Sequence, residues 1–449
     1  MESQKRKISP RAVAHAAVSR IEGENAYTDI VLSHYLERYE LPERDRGFVT
    51  ELVRGTVRWK KRLDWIVDQL FSGKKDQLPP PVRWLLWQAL YQINFMKVPA
   101  FAAVNESIKI ARSQKQHRWL GVMNGILRTF VRQPEAIKFP DPVRDPVLFL
   151  AVTESFPEWI VDRWINLFGQ DETRVLCHAN NVSPVLSVRV NQHKISMPDF
   201  ADMLNQYDVL FQVSAVPGFY RITSISYDVR SRLLEQGLMT IQDESAGLPG
   251  LIAQAQPGQT IADLCAAPGG KSTHLAELMH DQGCVLSCDI KKQRVQLLRN
   301  SVQRLQLTSV FPVVADARRA PIHQADIVVL DAPCSGLGVL RKKPDVRWKK
   351  QLQDIFELQA IQQDLIESAG SLVRANGILI YSTCTVDPQE NERIVEKFLC
   401  NNPDFEIVNA HTQKIPAAFV TPHGFVRTWP HKHDMDGSFA AKMIKRKQP

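Results

Sequence analysis

The chain has 449 residues, 44% hydrophobic and 23% charged. That is too long for one ordinary domain and typical in composition of a soluble globular protein. No run of about 18 apolar residues occurs, so no membrane span is expected. Met1-Glu2-Ser3-Gln4-Lys5-Arg6-Lys7 has no apolar stretch behind it, so it reads as a solvated terminus, neither a secretory signal nor a nuclear address. The net charge of +8 is uneven: residues 1–140 hold 24 Lys and Arg against 14 Asp and Glu, a net of +10, while the remainder holds 32 against 34, a net of −2. A basic first third on a near-neutral body predicts a polyanionic partner, with a merely basic helical face as the alternative.

Residues 8–133 read as all helix. Phe48, Val49, Leu52, Val53 and Val57 recur at helical spacing, as do Leu63, Ile66, Val67 and Leu70. Leu85, Leu86, Ala89, Leu90 and Ile93 form a second stripe beyond the Pro79-Pro80-Pro81 break. Trp59, Trp65, Trp84, Trp87 and Trp119 are interleaved with cations; most are expected in the core, with one or two available to stack on bases. The region resembles the NusB-like RNA-binding helical domain, and Arg54, Arg58, Lys60, Lys61 and Arg62 are close enough to form a phosphate-binding surface. The expected domain spans 1–140. Three prolines within 139–146 make a linker.

Residues 147–240 read as a small mixed α/β connector, with helix over 147–180, a strand over Val185–Asn191, a helix near 197–206 and a strand near 218–223. From 258 onward the pattern alternates: strands at 260–264, 285–289, 310–315, 326–331 and 378–382, helices at 271–279, 291–305, 355–374 and 389–399. Such alternation predicts an α/β domain over 241–449 with a parallel, doubly wound, Rossmann-like sheet.

The first strand of that domain, Thr260–Leu264, runs into Cys265-Ala266-Ala267-Pro268-Gly269-Gly270-Lys271. Small residues let the backbone approach a ligand, and the helix that follows offers free N–H groups. Asp289 ends the next strand, 19 residues after Gly270, where an acid holds ribose hydroxyls; Asp316 ends the third, placed to accept from an adenine amine; Asp331 ends the fourth. With Asp263, four successive strands carry an acid at their carboxyl ends, the edge where open α/β sheets bind ligands.

Cys334, in Asp331-Ala332-Pro333-Cys334-Ser335-Gly336, and Cys384, in Tyr381-Ser382-Thr383-Cys384-Thr385, follow strands on that edge, 50 residues apart. A thiol suits C5 methylation of a pyrimidine. The aromatic C5 is a poor nucleophile, and thiolate addition to C6 makes it enamine-like. Asp331 is placed to hydrogen-bond the ring N3 and exocyclic amine. Cys177, Cys265, Cys284, Cys288 and Cys400 read as ordinary buried or surface thiols of a reduced, cytosolic protein. Cys284 and Cys288 lack a second ligand pair, and His431-Lys432-His433 lacks a third ligand, so no metal is expected. Arg341–Lys350 carries six basic residues in ten beside the Cys334 loop and reads as an RNA backbone contact.

Asp263–Lys271, Asp331–Gly336 and Tyr381–Cys384, with Glu390-Asn391-Glu392 downstream, together resemble the Sun/Fmu family of RNA cytosine-C5 methyltransferases. Combined with a NusB-like N-terminus, they resemble the family's bacterial 16S ribosomal RNA branch over nearly the whole chain. The resemblance implies a class I methyltransferase fold, S-adenosyl-L-methionine as donor, and 16S ribosomal RNA as partner through an unpaired or flipped-out cytosine. It implies Cys384 as nucleophile, Cys334 as the thiol that aids release, and a donor site formed by Cys265–Lys271, Asp289, Asp316 and Asp331. Leu337 and Thr385 stand where many members carry Thr and Ser, and Asp436-Gly437-Ser438-Phe439 resembles the family's C-terminal hairpin. The remaining alternatives are a tRNA methyltransferase of the same family and a non-catalytic RNA-binding assembly factor. DNA methylation needs only the Pro-Cys thiol. No oligomer signal is present, so a monomer is expected.

Overall fold

The computed structural model describes residues 9–411 and 415–447, so Lys5-Arg6-Lys7 lies outside the described residues. The chain forms two compact units. One runs to Val182 and takes back Leu340–Lys350; the other comprises Ser183–Val339 and continues from Gln351. The expected 147–240 block is therefore divided, its helices up to Val182 in the first unit and its sheet, with two further helices, in the second.

The first unit contains helices α1 (Pro10–Gly23), α2 (Thr28–Arg38), α3 (Glu43–Leu70), α4 (Pro80–Asn94), α5 (Ala100–Ser113), α6 (Leu120–Arg132), α7 (Pro146–Thr153), α8 (Glu158–Phe168) and α9 (Gln170–Ala179). The stripe on α3 is its core face: Val49, Leu52, Val53, Val57, Leu63, Ile66 and Val67 are all buried, as a spacing of three and four residues requires. The proline run does not interrupt a helix but starts α4, with Pro80 in the first turn, where its missing N–H is not needed. Trp87 is buried, and Trp59, Trp65, Trp84 and Trp119 pack partly exposed against the same core.

The basic cluster on α3 differs from the phosphate-binding surface expected of it. Arg54 pairs with Asp29, Lys60 with Glu22 and Lys61 with Glu158. Arg58 is buried and donates to the Arg341 carbonyl, and Arg62 donates to the Thr153 carbonyl. Burial lowers both guanidinium pKa values. Partners distant in sequence consume these cations, which charge counting does not register.

Two of the six cations in the basic run 341–350 depart from the expected RNA contact for the same reason. The run is a strap docked into the helical unit: Arg341 and Arg347 are buried, and Trp348 joins the core and donates its indole N–H to the Val57 carbonyl. The Arg347 guanidinium lies 3.8 Å from the Phe156 ring centroid and donates to Asn181 Oδ1 at 2.9 Å. Burial lowers its pKa to about 9. Arg341, Arg347 and Trp348 therefore serve packing, not an RNA face.

The second unit opens with a four-stranded antiparallel sheet, β1 (Leu186–Val190), β2 (Leu210–Val213), β3 (Phe219–Ser224) and β4 (Met239–Ile241), in the order β2-β3-β1-β4. Helices α10 (Met197–Gln206) and α11 (Tyr227–Glu235) lie within it in sequence, and α12 (Glu244–Ala253) follows. Then come β5 (Thr260–Leu264), α13 (Gly270–Leu278), β6 (Cys284–Asp289), α14 (Lys292–Leu305), β7 (Val310–Val314), β8 (Ala325–Asp331), α15 (Leu352–Ser371), β9 (Val373–Thr383), α16 (Glu392–Asn401), β10 (Phe405–Ile407), β11 (Val426–Thr428) and β12 (Ser438–Lys445). They build a sheet in the order β10-β12-β9-β8-β5-β6-β7, with β11 paired to β12. Strands β5 to β9 pair in parallel, whereas β12 runs antiparallel to β9. Continuous apolar runs such as Ile327-Val328-Val329-Leu330, buried throughout, are what a sheet covered on both faces demands. The order reverses between β5 and β8, so a crevice opens beyond their carboxyl ends, where such sheets hold ligands.

Candidate active site

Sheet register brings the two thiols together. Asp331 of β8 lies opposite Ser382 of β9 in the parallel pair; Cys334 follows three residues later on one strand and Cys384 two residues later on the other. Their Sγ atoms are 3.3 Å apart. Cys384 is exposed and Cys334 is less so. The hydrogen bond to Cys384, then burial, pushes the Cys334 thiol well above its ordinary value, so it stays an S–H that can donate to its neighbour.

A buried network that the sequence reading did not assign fixes the two loops to each other. Glu390 accepts the Ser335 backbone N–H at 2.8 Å and the Ser335 hydroxyl at 2.5 Å, and it accepts from Gln362 Nε2 at 3.0 Å. Ser335 Oγ also meets Thr385 Oγ1 at 2.9 Å, so the Thr385 hydroxyl joins the network. Asn391 accepts from Thr383 Oγ1 and donates to the Thr385 carbonyl, gripping both sides of Cys384. The signal in the sequence was Glu390-Asn391 after a strand end, but which groups those side chains reach depends on tertiary structure.

Cys265, Asp289, Asp316, Asp331, Cys334 and Cys384 line one cavity of about 460 Å³, within the range of roughly 300–1,000 Å³ usual for small-molecule sites. Ala266, Ala267, Pro268, Gly269, Gly270 and Lys271 line a neighbouring cavity of about 500 Å³ that shares Asp331. The loop thus forms the wall between the two. Asp289 is buried, and its Oδ2 has no hydrogen-bond partner among the described residues, although Arg294 lies 3.3 Å away. An orphaned carboxylate oxygen fits a pair of sugar hydroxyl donors. Asp316 is already engaged: Arg318 side-chain and backbone hydrogen bonds hold it down to about 2. Any purine amine must share that carboxylate with Arg318. Lys271 Nζ is 2.7 Å from Asp331 Oδ2, and Ser382 donates to Asp331 Oδ1 at 3.1 Å. Burial alone would lower Lys271, but the Asp331 charge and hydrogen bond reverse this and raise it. Burial, then nearby acids, pushes the Cys265 thiol up to about 12, in keeping with an inert loop residue.

Asp263 departs from the expected row of four acids. It lies inside the fold, fully buried, with Oδ2 accepting from Ser272 Oγ at 2.5 Å and Oδ1 unpartnered among the described residues. Burial raises its pKa from 3.8 to about 7. A raised folded-state value means that the stabilisation is complete below about pH 4 and is lost as pH climbs through about 7. The full window is worth on the order of 4 kcal/mol. Melting temperature measured from pH 5 to 8 should fall in the wild type, and Asp263→Asn should flatten that component; parallel curves would place the titration elsewhere.

Among the described residues, no cluster of His, Cys, Asp or Glu has metal-site geometry, and no helix is long and apolar enough to cross a membrane.

Comparison with known proteins agrees with this geometry. Residues 251–444 match the family model for the 16S rRNA methyltransferase RsmB/F, residues 8–132 the NusB family, and residues 156–218 the ferredoxin-like domain of RsmF/B-like methyltransferases. A Bacillus subtilis protein described as a probable ribosomal RNA small subunit methyltransferase B is 33% identical, covering 98% of this chain and 100% of its own. A Synechocystis protein of the same description is 34% identical over 98% and 100%. The crystal structure of PH0851 aligns with a TM-score of 0.81 at 27% identity, covering 98% of this chain and 100% of that one.

Proposed function

The chain belongs to the RsmB/F family of 16S rRNA methyltransferases, and from that premise we propose that it methylates C5 of a cytosine in 16S ribosomal RNA through a covalent bond from Cys384 to C6. The observation that carries the reading is the thiol pair 3.3 Å apart on a cavity that also presents Asp289, Asp316 and Asp331. The donor that fits is S-adenosyl-L-methionine, whose sulfonium supplies an electrophilic methyl group. Asp289 would hold the ribose hydroxyls, Asp316 the adenine amine, and Cys265–Lys271 the methionine end.

Cys384 Sγ adds to C6, and the C5–C6 electron pair moves to C5, which becomes nucleophilic. Asp331, fixed by Lys271 and Ser382, accepts from the exocyclic amine and orients the ring. Once C5 is methylated, its proton must leave and the C6–S bond must break, which restores the double bond and returns the pair to sulfur. Cys334, held as a neutral thiol against Cys384, donates S–H to the departing thiolate. Both carbons must be open to reactants, so the base has to be unpaired or flipped out.

The test uses unmodified 16S RNA, total tRNA and methyl-labelled donor side by side, followed by digestion to nucleosides. The expected result is label in 5-methylcytidine from the 16S reaction. Label in another nucleoside, or only in tRNA, would overturn the corresponding part of the reading.

A further inference from the structure

Outside the cavity, the second unit buries one arginine whose hydrogen bonding is complete. Arg189, on β1 of the small antiparallel sheet, is 1% exposed, and its guanidinium uses all five of its N–H donors. Nε donates to Glu277 Oε2 at 3.0 Å, and Nη2 to Glu277 Oε1 at 2.9 Å and Thr273 Oγ1 at 3.0 Å. Nη1 donates to the Gly270 carbonyl at 2.7 Å and to Gln242 Oε1. Gly270, Thr273 and Glu277 all belong to α13, the helix that begins within the glycine loop. Their spacing of three and four residues puts them on one helix face. The Gly270 carbonyl points along the helix and the Glu277 side chain leans back toward its start, so one planar cation grips both.

The peptide that Arg189 holds is consequential. The Gly270 carbonyl shares a plane with the Lys271 N–H, and Lys271 is the residue whose ammonium meets Asp331 at 2.7 Å. Thr273 Oγ1, a second acceptor of Arg189, itself donates to the Gly269 carbonyl at 2.9 Å. Both glycines of the loop are thus tied, directly or through one hydroxyl, to a side chain from a different sheet. A buried ion pair is weak evidence for stability, since an apolar pair of similar volume often serves as well. A five-donor fork aimed at a backbone carbonyl is orientation-specific, and lysine cannot reproduce it.

We propose that Arg189 is a positioning residue of the methyl-donor site: it sets the Gly270–Lys271 peptide and, through it, the Lys271–Asp331 pair, making the small sheet part of the donor site. The inference rests on the reading of the 265–271 loop as the donor wall.

The test measures binding of labelled S-adenosyl-L-methionine by equilibrium dialysis, with steady-state KM values for donor and for RNA. Variants are Arg189→Lys, Thr273→Val, and Val190→Ala as a destabilising control on the same strand. Arg189→Lys should weaken donor binding about tenfold or more while the RNA KM moves less than about threefold, the scale expected for losing charge-assisted bonds to the loop. Val190→Ala should lower the melting temperature without weakening donor binding. Should Arg189→Lys not fold, Thr273→Val is read in its place, with a smaller expected loss of about threefold. Wild-type donor affinity in a folded Arg189→Lys, or equal losses in Val190→Ala, would overturn the proposal and make Arg189 a tie between sheet and helix. Failure of the wild type to bind donor would instead overturn the reading of the loop.

Discussion

Cys334→Ala protein incubated with 16S RNA and S-adenosyl-L-methionine should accumulate a protein–RNA adduct that survives denaturing electrophoresis, whereas Cys384→Ala should give neither adduct nor product. The asymmetry follows from the positions of the two thiols. Cys384 is the exposed member of the pair and lines the cavity, where a base edge can reach it. Cys334 is the thiol held protonated, by its bond to Cys384 and by burial, so it is fitted to return a proton, not to attack. On the proposed mechanism, removal of Cys384 deletes the nucleophile and should lower the rate by at least about 10⁴-fold. Without Cys334 the addition and methylation remain, but the departing sulfur has no acid at 3.3 Å. The intermediate should therefore persist, with turnover down about 100-fold or more, the contribution of one positioned proton donor. An adduct formed by Cys384→Ala instead would exchange the roles. If neither variant traps RNA while the wild type methylates, a two-thiol mechanism is wrong.

What the sequence disclosed, and what it concealed, follows from the range of each interaction. The thiol pair was legible because parallel neighbours β8 and β9 end in register, so two strand-end cysteines 50 residues apart had to converge. Asp289 and Asp331 were legible for the same reason: the carboxyl edge of a doubly wound sheet is where residues just past strand ends gather. Cations were read poorly. Arg58, Arg341 and Arg347 look like surface charge in any window, yet each is buried. What neutralises or solvates them comes from residues such as Asn181, 166 positions from Arg347. Arg189 was passed over because Val188-Arg189-Val190 reads as an alternating strand with its charge outward, whereas all three are buried between layers of the second unit. Asp263 lost its expected place in the cavity because it sits two positions before its neighbours' strand ends, on the same face but deeper in the sheet than its carboxyl edge. Periodicity reports which face a residue takes relative to its own element, not what covers that face.

Gly338 carries the other large expectation, because the loop that presents Cys384 is stacked on it without room for a methyl group. A Cβ built there would lie 1.9 Å from the Gly437 carbonyl oxygen, 2.6 Å from the Gly437 carbonyl carbon and 2.8 Å from the Cys384 carbonyl oxygen. Every obstacle is backbone, and the three loops are hydrogen-bonded together there: Gly338 N–H donates to the Cys384 carbonyl at 3.0 Å and Gly437 N–H to the Gly338 carbonyl at 2.8 Å. No rotamer change can relieve such a collision, so Gly338→Ala must move the Cys384 loop, the Gly437 hairpin or both. Overpacking of this kind costs about 1–3 kcal/mol or more, and a displacement of about 1 Å at the nucleophile is worth about 100-fold in rate. Gly437→Ala supplies the contrast. Its Cβ would meet Val386 Cγ1 at 2.5 Å and the Gly338 Cα at 3.0 Å, and the closer of these is a side-chain end that can turn away. Single-turnover methylation by folded protein should fall about 100-fold for Gly338→Ala and less than about tenfold for Gly437→Ala, with melting temperatures in the same order. Equal rates in the two variants would mean that this three-loop stack does not hold the nucleophile in place.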